Sequence, residues 1–167
     1  NSDQTQQIWE SLAEIKPGTV FIGKDFQLWL DRKEMMLCPK PFPFETLHIQ
    51  KNDPELNLPE GTYDISRSSE PKAIDLRLQN ALLDLDRLEF PLEIRLWKEG
   101  DRFFPLGMQS EKKISDFLID LKVPLPKKQE VKVLVSGNKI AWVIGMRIAD
   151  WAKITPATRQ TIHFKKR

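Results

Sequence analysis

The chain has 167 residues, 40% hydrophobic and 30% charged, with a net charge of +2, a composition that suits one ordinary domain or two small ones. No apolar run approaches the roughly 18 residues of a membrane-spanning helix, so a cytoplasmic protein with no membrane partner is expected. The lone Cys38 excludes an internal disulfide and a Cys-rich metal site, and His48 and His163 are far apart in sequence, so metal chemistry is not expected.

Taken in chain order, residues 3–15 read as an amphipathic helix, because Ile8, Leu12 and Ile15 recur at spacings of four and three with Ser2 or Asp3 available as a cap. Pro17 and Gly18 end it. Residues 19–22, 26–30 and 34–38 are short apolar or alternating runs separated by Gly23-Lys24-Asp25 and Asp31-Arg32-Lys33, which reads as β-hairpins. Residues 39–43 hold three prolines and read as an extended connector, and the polar stretch 51–61, punctuated by Pro54 and Pro59, reads as a loop. Short strands resume at 63–66, 74–78, 80–83 and 92–97, with a helical turn or loop at 84–88. Ser115 is the expected N-cap of a two-turn helix over 116–122, which Val123-Pro124 stops. Residues 131–136 and 140–144, joined by Gly137-Asn138-Lys139, read as a hairpin, and 161–164 as a last strand. Strands spaced about ten residues apart favour a compact barrel or sandwich over a parallel α/β sheet.

Charge is distributed unevenly. Residues 1–90 carry 10 Lys+Arg against 16 Asp+Glu, a net of −6, whereas residues 91–167 carry 16 against 8, a net of +8. Such asymmetry points to nucleic acid or another polyanion, or to a solvated face with no partner. The richest stretch is 95–117. Arg95, Lys98 and Arg102 bracket the Gly100 turn, and Lys112 and Lys113 precede the expected helix, whose first amides lack intrahelical acceptors. Lys122, Lys127 and Lys128 flank the far end of that helix; Lys122 there is equally explained as a cation favoured at a helix C-terminus.

No catalytic constellation is found: there is no nucleophile elbow, no triad context for either histidine and no Gly-rich phosphate loop. Asp116 and Asp120, four apart, read as a helix-stabilising charge and a solvated residue, and Asp101 as closing a turn or pairing with a nearby cation. Among the aromatics that could stack on bases, Trp97, Phe103, Phe104, Trp142 and Trp151, core packing is expected for Trp142 and Phe104, while Phe103 stays open. Cys38 reads as a small buried hydrophobe.

Three blocks, Ile94-Arg95-Leu96-Trp97-Lys98-Glu99-Gly100-Asp101-Arg102-Phe103-Phe104-Pro105-Leu106-Gly107-Met108, then Lys112-Lys113-Ile114-Ser115-Asp116-Phe117 running on to Pro124, then Trp142-Val143-Ile144-Gly145-Met146-Arg147-Ile148, resemble in order and spacing the C-terminal domain of bacterial tRNA(Ile)-lysidine synthases. The resemblance is close over residues 80–167 and weaker over 1–79. It implies a mainly β fold with short helices (α+β): a helix-plus-hairpin subdomain over 1–79 and a small barrel-like domain over 80–167, similar to a barrel domain of the phenylalanyl-tRNA synthetase β-subunit. It implies a ligase that adenylates the wobble cytidine of a tRNA(Ile) with a CAU anticodon, after which lysine displaces AMP. ATP with Mg and lysine belong to an N-terminal catalytic domain with a Ser-Gly-Gly-x-Asp-Ser loop that this sequence lacks, so the chain reads as a non-catalytic C-terminal region that grips tRNA toward the acceptor stem. On the family's motif, Gly100, Pro105, Gly107, Pro124 and Gly145 are expected to shape the backbone, and Arg95, Arg102, Lys113 and Arg147 to contact RNA. Leu96 stands where the family commonly has proline, and Lys127-Lys128-Gln129 where arginine is usual, which keeps charge but loses a bidentate fork. The alternative reading is a protein-interaction module, with homodimerisation through the oppositely charged halves.

Overall fold

The computed structural model describes residues 3, 6, 18–31, 34–41, 43–69 and 77–167. The helix expected over 3–15 therefore lies, apart from Asp3 and Gln6, outside the described residues, as does most of the strand expected at 74–78. The chain divides into two compact units, residues 1–43 with 123–130, and residues 44–122 with 131–167.

In the first unit, β1 (Thr19–Ile22), β2 (Phe26–Asp31) and β3 (Glu34–Pro39) form an antiparallel meander in that order. The hairpin reading holds here: the Gly23 amide donates to the Phe26 carbonyl across the first turn, and the register sets Leu28 between Phe21 and Leu37. Leu30 is buried, but Cys38, expected in the core, is only half-buried. The same unit contains a four-residue helix, Leu125–Lys128, not anticipated from the sequence, with Pro124 at its N-cap and Pro126 in its first turn, where a missing amide is tolerated.

The second unit is built from two antiparallel sheets. Its strands in chain order are β4 (Leu47–Ile49), β5 (Glu55–Leu58), β6 (Gly61–Ser68), β7 (Ala81–Asp84), β8 (Leu92–Leu96), β9 (Arg102–Phe103), β10 (Lys112–Lys113), β11 (Lys132–Ser136), β12 (Lys139–Val143), β13 (Arg147–Ile148) and β14 (Thr161–Lys166). A five-stranded sheet runs β13-β12-β11-β8-β4 and a four-stranded one β5-β6-β14-β7, while β9 and β10 form a separate ribbon. The fold is mainly β with short helices, as expected. One core lies between the sheets: Ile49, Ile94, Leu134 and Trp142 from the first meet Leu56, Tyr63, Leu83, Ile162 and Phe164 from the second. Each fully buried large side chain contributes on the order of 1.5–3 kcal/mol.

Two expectations change here. The division at residues 79 and 80 passes through this unit, because β14 pairs with β6 on one side and β7 on the other, and β8 carries β4 at its edge. Strands before and after residue 80 thus satisfy each other's backbone groups and share one core. The stretch 51–61 is not all loop: β5 sits between Pro54 and Pro59 with Leu56 and Leu58 buried and Glu55 and Asn57 exposed. The hairpin β11–β12 forms as read, turning on Gly137, whose φ of +55° is one that glycine adopts without strain.

Candidate nucleic-acid interface

The β9–β10 ribbon sorts its four side chains by simple alternation. Phe103 points inward, 3% exposed, and meets Phe117 edge-on with ring centroids 5.1 Å apart. Its cross-strand partner is Lys112, half-buried and paired with Asp120. The other pair, Arg102 opposite Lys113, is exposed. Directly opposed like charges on a ribbon are unfavourable. Glu111 offsets this in part with an ion pair to Arg102 at 3.2 Å, and Lys113 makes no ion pair among the described residues. The ribbon is held by α1 (Ile114–Asp120), which buries Ile114, Phe117 and Leu118 beneath it.

The turn that feeds the ribbon is fixed by Asp101. Arg95 on β8 reaches it with two parallel bonds, Nη1 to Oδ2 at 2.7 Å and Nη2 to Oδ1 at 3.0 Å, while the Lys98 amide donates to the same Oδ2 at 2.7 Å. Across the turn, the Asp101 amide donates to the Lys98 carbonyl, Gly100 takes a φ of +90°, and the Asp101 carbonyl accepts the Ile114 amide at 2.9 Å. Burial alone would raise the Asp101 pKa; the Arg95 bonds, the Lys98 amide and their charges outweigh it, so the carboxyl ionises below the usual aspartate range. Arg95 is correspondingly held more firmly protonated, its Asp101 hydrogen bonds being the leading cause.

Sequence expectation and geometry part company at several residues. Arg95, expected to face RNA, points into the protein: its side chain is 14% exposed and also pairs with Glu93 at 3.3 Å. It buttresses the turn that presents Lys98. The helix begins at Ile114, two residues before the expected 116, with Lys113 rather than Ser115 at the N-cap and no side-chain cap. The Ser115 hydroxyl bonds Asp116 instead, and the first amide is already taken by Asp101. Of the first-turn amides, that of Ile114 is thus already occupied. Lys122 is exposed just past the helix end at a φ of +54°. Lys127 and Lys128 belong to the first compact unit, where Lys127 bonds Glu130 at 2.8 Å and is held more firmly protonated by it. Arg147, on β13, donates to the Leu106 carbonyl at 3.4 Å and lines a cavity of about 380 Å³. Of the nine cations singled out, the structure gathers Lys98, Arg102 and Lys113 on one turn and ribbon.

The aromatics also separate. Trp142 is fully buried, as expected, and its indole N–H has no acceptor among the described residues. Phe103, left open, is core. Phe104, expected in the core, is 44% exposed, because alternation past Phe103 turns it outward while its carbonyl is anchored by the Asp150 amide. Sequence reasoning did not single out its neighbours Leu106 and Met108, which are also exposed. They lie in a loop held by the Leu106 amide on Ile148 and the Gly107 amide on Asp150, outside any periodic pattern that could have exposed them to reading. Among the described residues no cluster of three potential metal ligands occurs, and no helix is long and apolar enough to cross a membrane.

Residues 92–164 match the family described as the TilS substrate C-terminal domain. Over its length the chain is 32% identical to tRNA(Ile)-lysidine synthase of Bacteroides thetaiotaomicron, covering 99% of this chain and 36% of that protein. The corresponding protein of Geobacter sulfurreducens is 40% identical over 85 residues, 51% of this chain and 18% of that protein. The chain thus spans about a third of the first of these relatives. A crystal structure of a TilS C-terminal domain superposes with a TM-score of 0.62 at 18% identity, covering 72% of this chain and 95% of that one, and so shares its fold. With residues 92–164 as its TilS substrate C-terminal domain, the chain belongs to the tRNA(Ile)-lysidine synthase family, of which it corresponds to the C-terminal part.

Proposed function

We propose that this chain is the tRNA-gripping part of a tRNA(Ile)-lysidine synthase, holding tRNA(Ile) with a CAU anticodon by its acceptor-stem side while ATP with Mg and lysine are used elsewhere in the complete ligase. The observation that carries this reading is the exposed Arg102–Lys113 pair, two cations held face to face next to the rigid Lys98 turn. A polyanion relieves their repulsion, and phosphate contacts from such a rigid element set register along an RNA duplex. The match to relatives named for tRNA(Ile) supports RNA as the polyanion.

The test is a fluorescence titration of the chain with an acceptor-stem minihelix and with the anticodon stem–loop of the same tRNA. The reading expects tighter binding to the minihelix. Equal binding, or preference for the anticodon arm, contradicts it.

A second reading rests on the apolar side chains of Phe104, Leu106 and Met108, exposed on one loop. Exposed apolar groups brought together mark contact surfaces, and a protein-interaction or homodimer surface would show as concentration-dependent light scattering that tRNA does not compete.

A further inference from the structure

The cavity beside β13 is not used by the ribbon. It encloses about 380 Å³, within the roughly 300–1,000 Å³ typical of small-ligand sites. Its walls are largely aliphatic, with Leu82, Leu106, Met146 and Ile148 among them, and its charged lining is cationic: Arg77, Arg147 and Lys153 without a carboxylate among the lining residues. Lys153 is neutralised by Asp150, to which it bonds at 2.9 and 3.0 Å. Arg147 has no carboxylate partner among the described residues, and its bond to the Leu106 carbonyl, at 3.4 Å, is long. Among the lining residues Leu78 is 62% and Leu106 37% exposed, so the cavity that Arg147 lines also presents apolar surface to water.

An aliphatic slot with one uncompensated guanidinium is complementary to a flat apolar ring joined to a phosphate. Resting on the reading that this unit binds RNA, we propose that the cavity takes one unpaired RNA nucleotide, its base between the aliphatic walls and its phosphate on Arg147. Stacking between neighbouring base pairs hides the ring faces in a duplex, so a duplex nucleotide cannot enter; an unpaired, unstacked nucleotide at a single-stranded end can. The assignment gives a role to the Gly145-Met146-Arg147 turn that the ribbon leaves unused.

The experiment compares the full chain's affinity for a blunt 12-base-pair RNA duplex and for the same duplex with a three-nucleotide 3′ tail, with AMP as a small probe of the cavity methyl groups by NMR. The tail should improve affinity about tenfold, the scale of burying one base's apolar faces against aliphatic side chains and one phosphate on a cation, and AMP should shift the Leu82 and Ile148 methyl resonances. Met146→Trp, which fills the cavity, should bring the tailed-to-blunt ratio near one and leave blunt-duplex affinity unchanged, and Arg147→Gln, which removes the cation without adding bulk, should likewise bring that ratio near one. Normal blunt-duplex binding with no gain from the tail overturns the proposal and spares the RNA reading. Loss of binding to both RNAs in the unaltered chain overturns both.

Discussion

Arg102 and Lys113 are cross-strand partners on the β9–β10 ribbon, both exposed, with Glu111 paired to Arg102 alone. Folding would be better served by an opposite charge at residue 113. Lys113→Glu is therefore expected to leave the fold equally or more stable, by about 0.5 kcal/mol given the modest worth of exposed pairs, while lowering tRNA affinity at least tenfold at low salt. Thermal unfolding and a binding titration on the same preparation check both. Lower stability with unchanged affinity would show that the lysine serves the fold.

Asp101 joins three elements through one side chain and one carbonyl. Asp101→Asn keeps the shape but removes the charge that Arg95 faces, and should lower stability by about 2 kcal/mol in urea unfolding, less than for a fully buried pair. The pH dependence has a definite sign. The folded carboxyl has a lowered pKa, so its contribution is fully present above the unfolded value of about 4 and disappears as pH falls through the lowered folded value. The asparagine variant should accordingly show a shallower acid limb than the unaltered chain.

Tyr63 is the chain's one tyrosine, 1% exposed in the core, and burial followed by the charge of Glu60 pushes its pKa up to about 12. Absorbance at the phenolate band thus reports this residue alone among the phenols. No ionisation should occur near pH 10, and stability should begin to fall as pH rises past the unfolded value of about 10, since only the unfolded chain then releases the proton. A simple titration at pH 10 in folded protein would place the ring in solvent.

The sequence disclosed those parts of this fold that rest on local pattern. Alternation and glycine turns mark β1–β3 and the β11–β12 hairpin, and Asp101 was legible as a turn-closing, cation-pairing residue. The strands β4 and β5 were hidden by their length of three and four residues and by flanking prolines. The site was partly legible: a run of cations is visible in sequence, but which ones reach solvent depends on non-local register. Arg102 and Lys113 are brought together by strands of two residues each, across an intervening loop. Arg95 is drawn inward by Asp101 only because β8 and the turn at Gly100 place them side by side. Neither relationship leaves a periodic trace.

The most direct test is the salt dependence of tRNA binding. With about four duplex phosphates neutralised, a log–log slope near −3 to −4 is expected for the unaltered chain, using the double-helix coefficient of about 0.9 per phosphate. If Arg102 and Lys113 each hold a phosphate, the double variant Arg102→Ala/Lys113→Ala should bind more weakly at low salt with a slope reduced by about two, its circular dichroism unchanged. A slope and affinity identical to those of the unaltered chain, with the fold intact, would contradict the assignment of this ribbon to RNA.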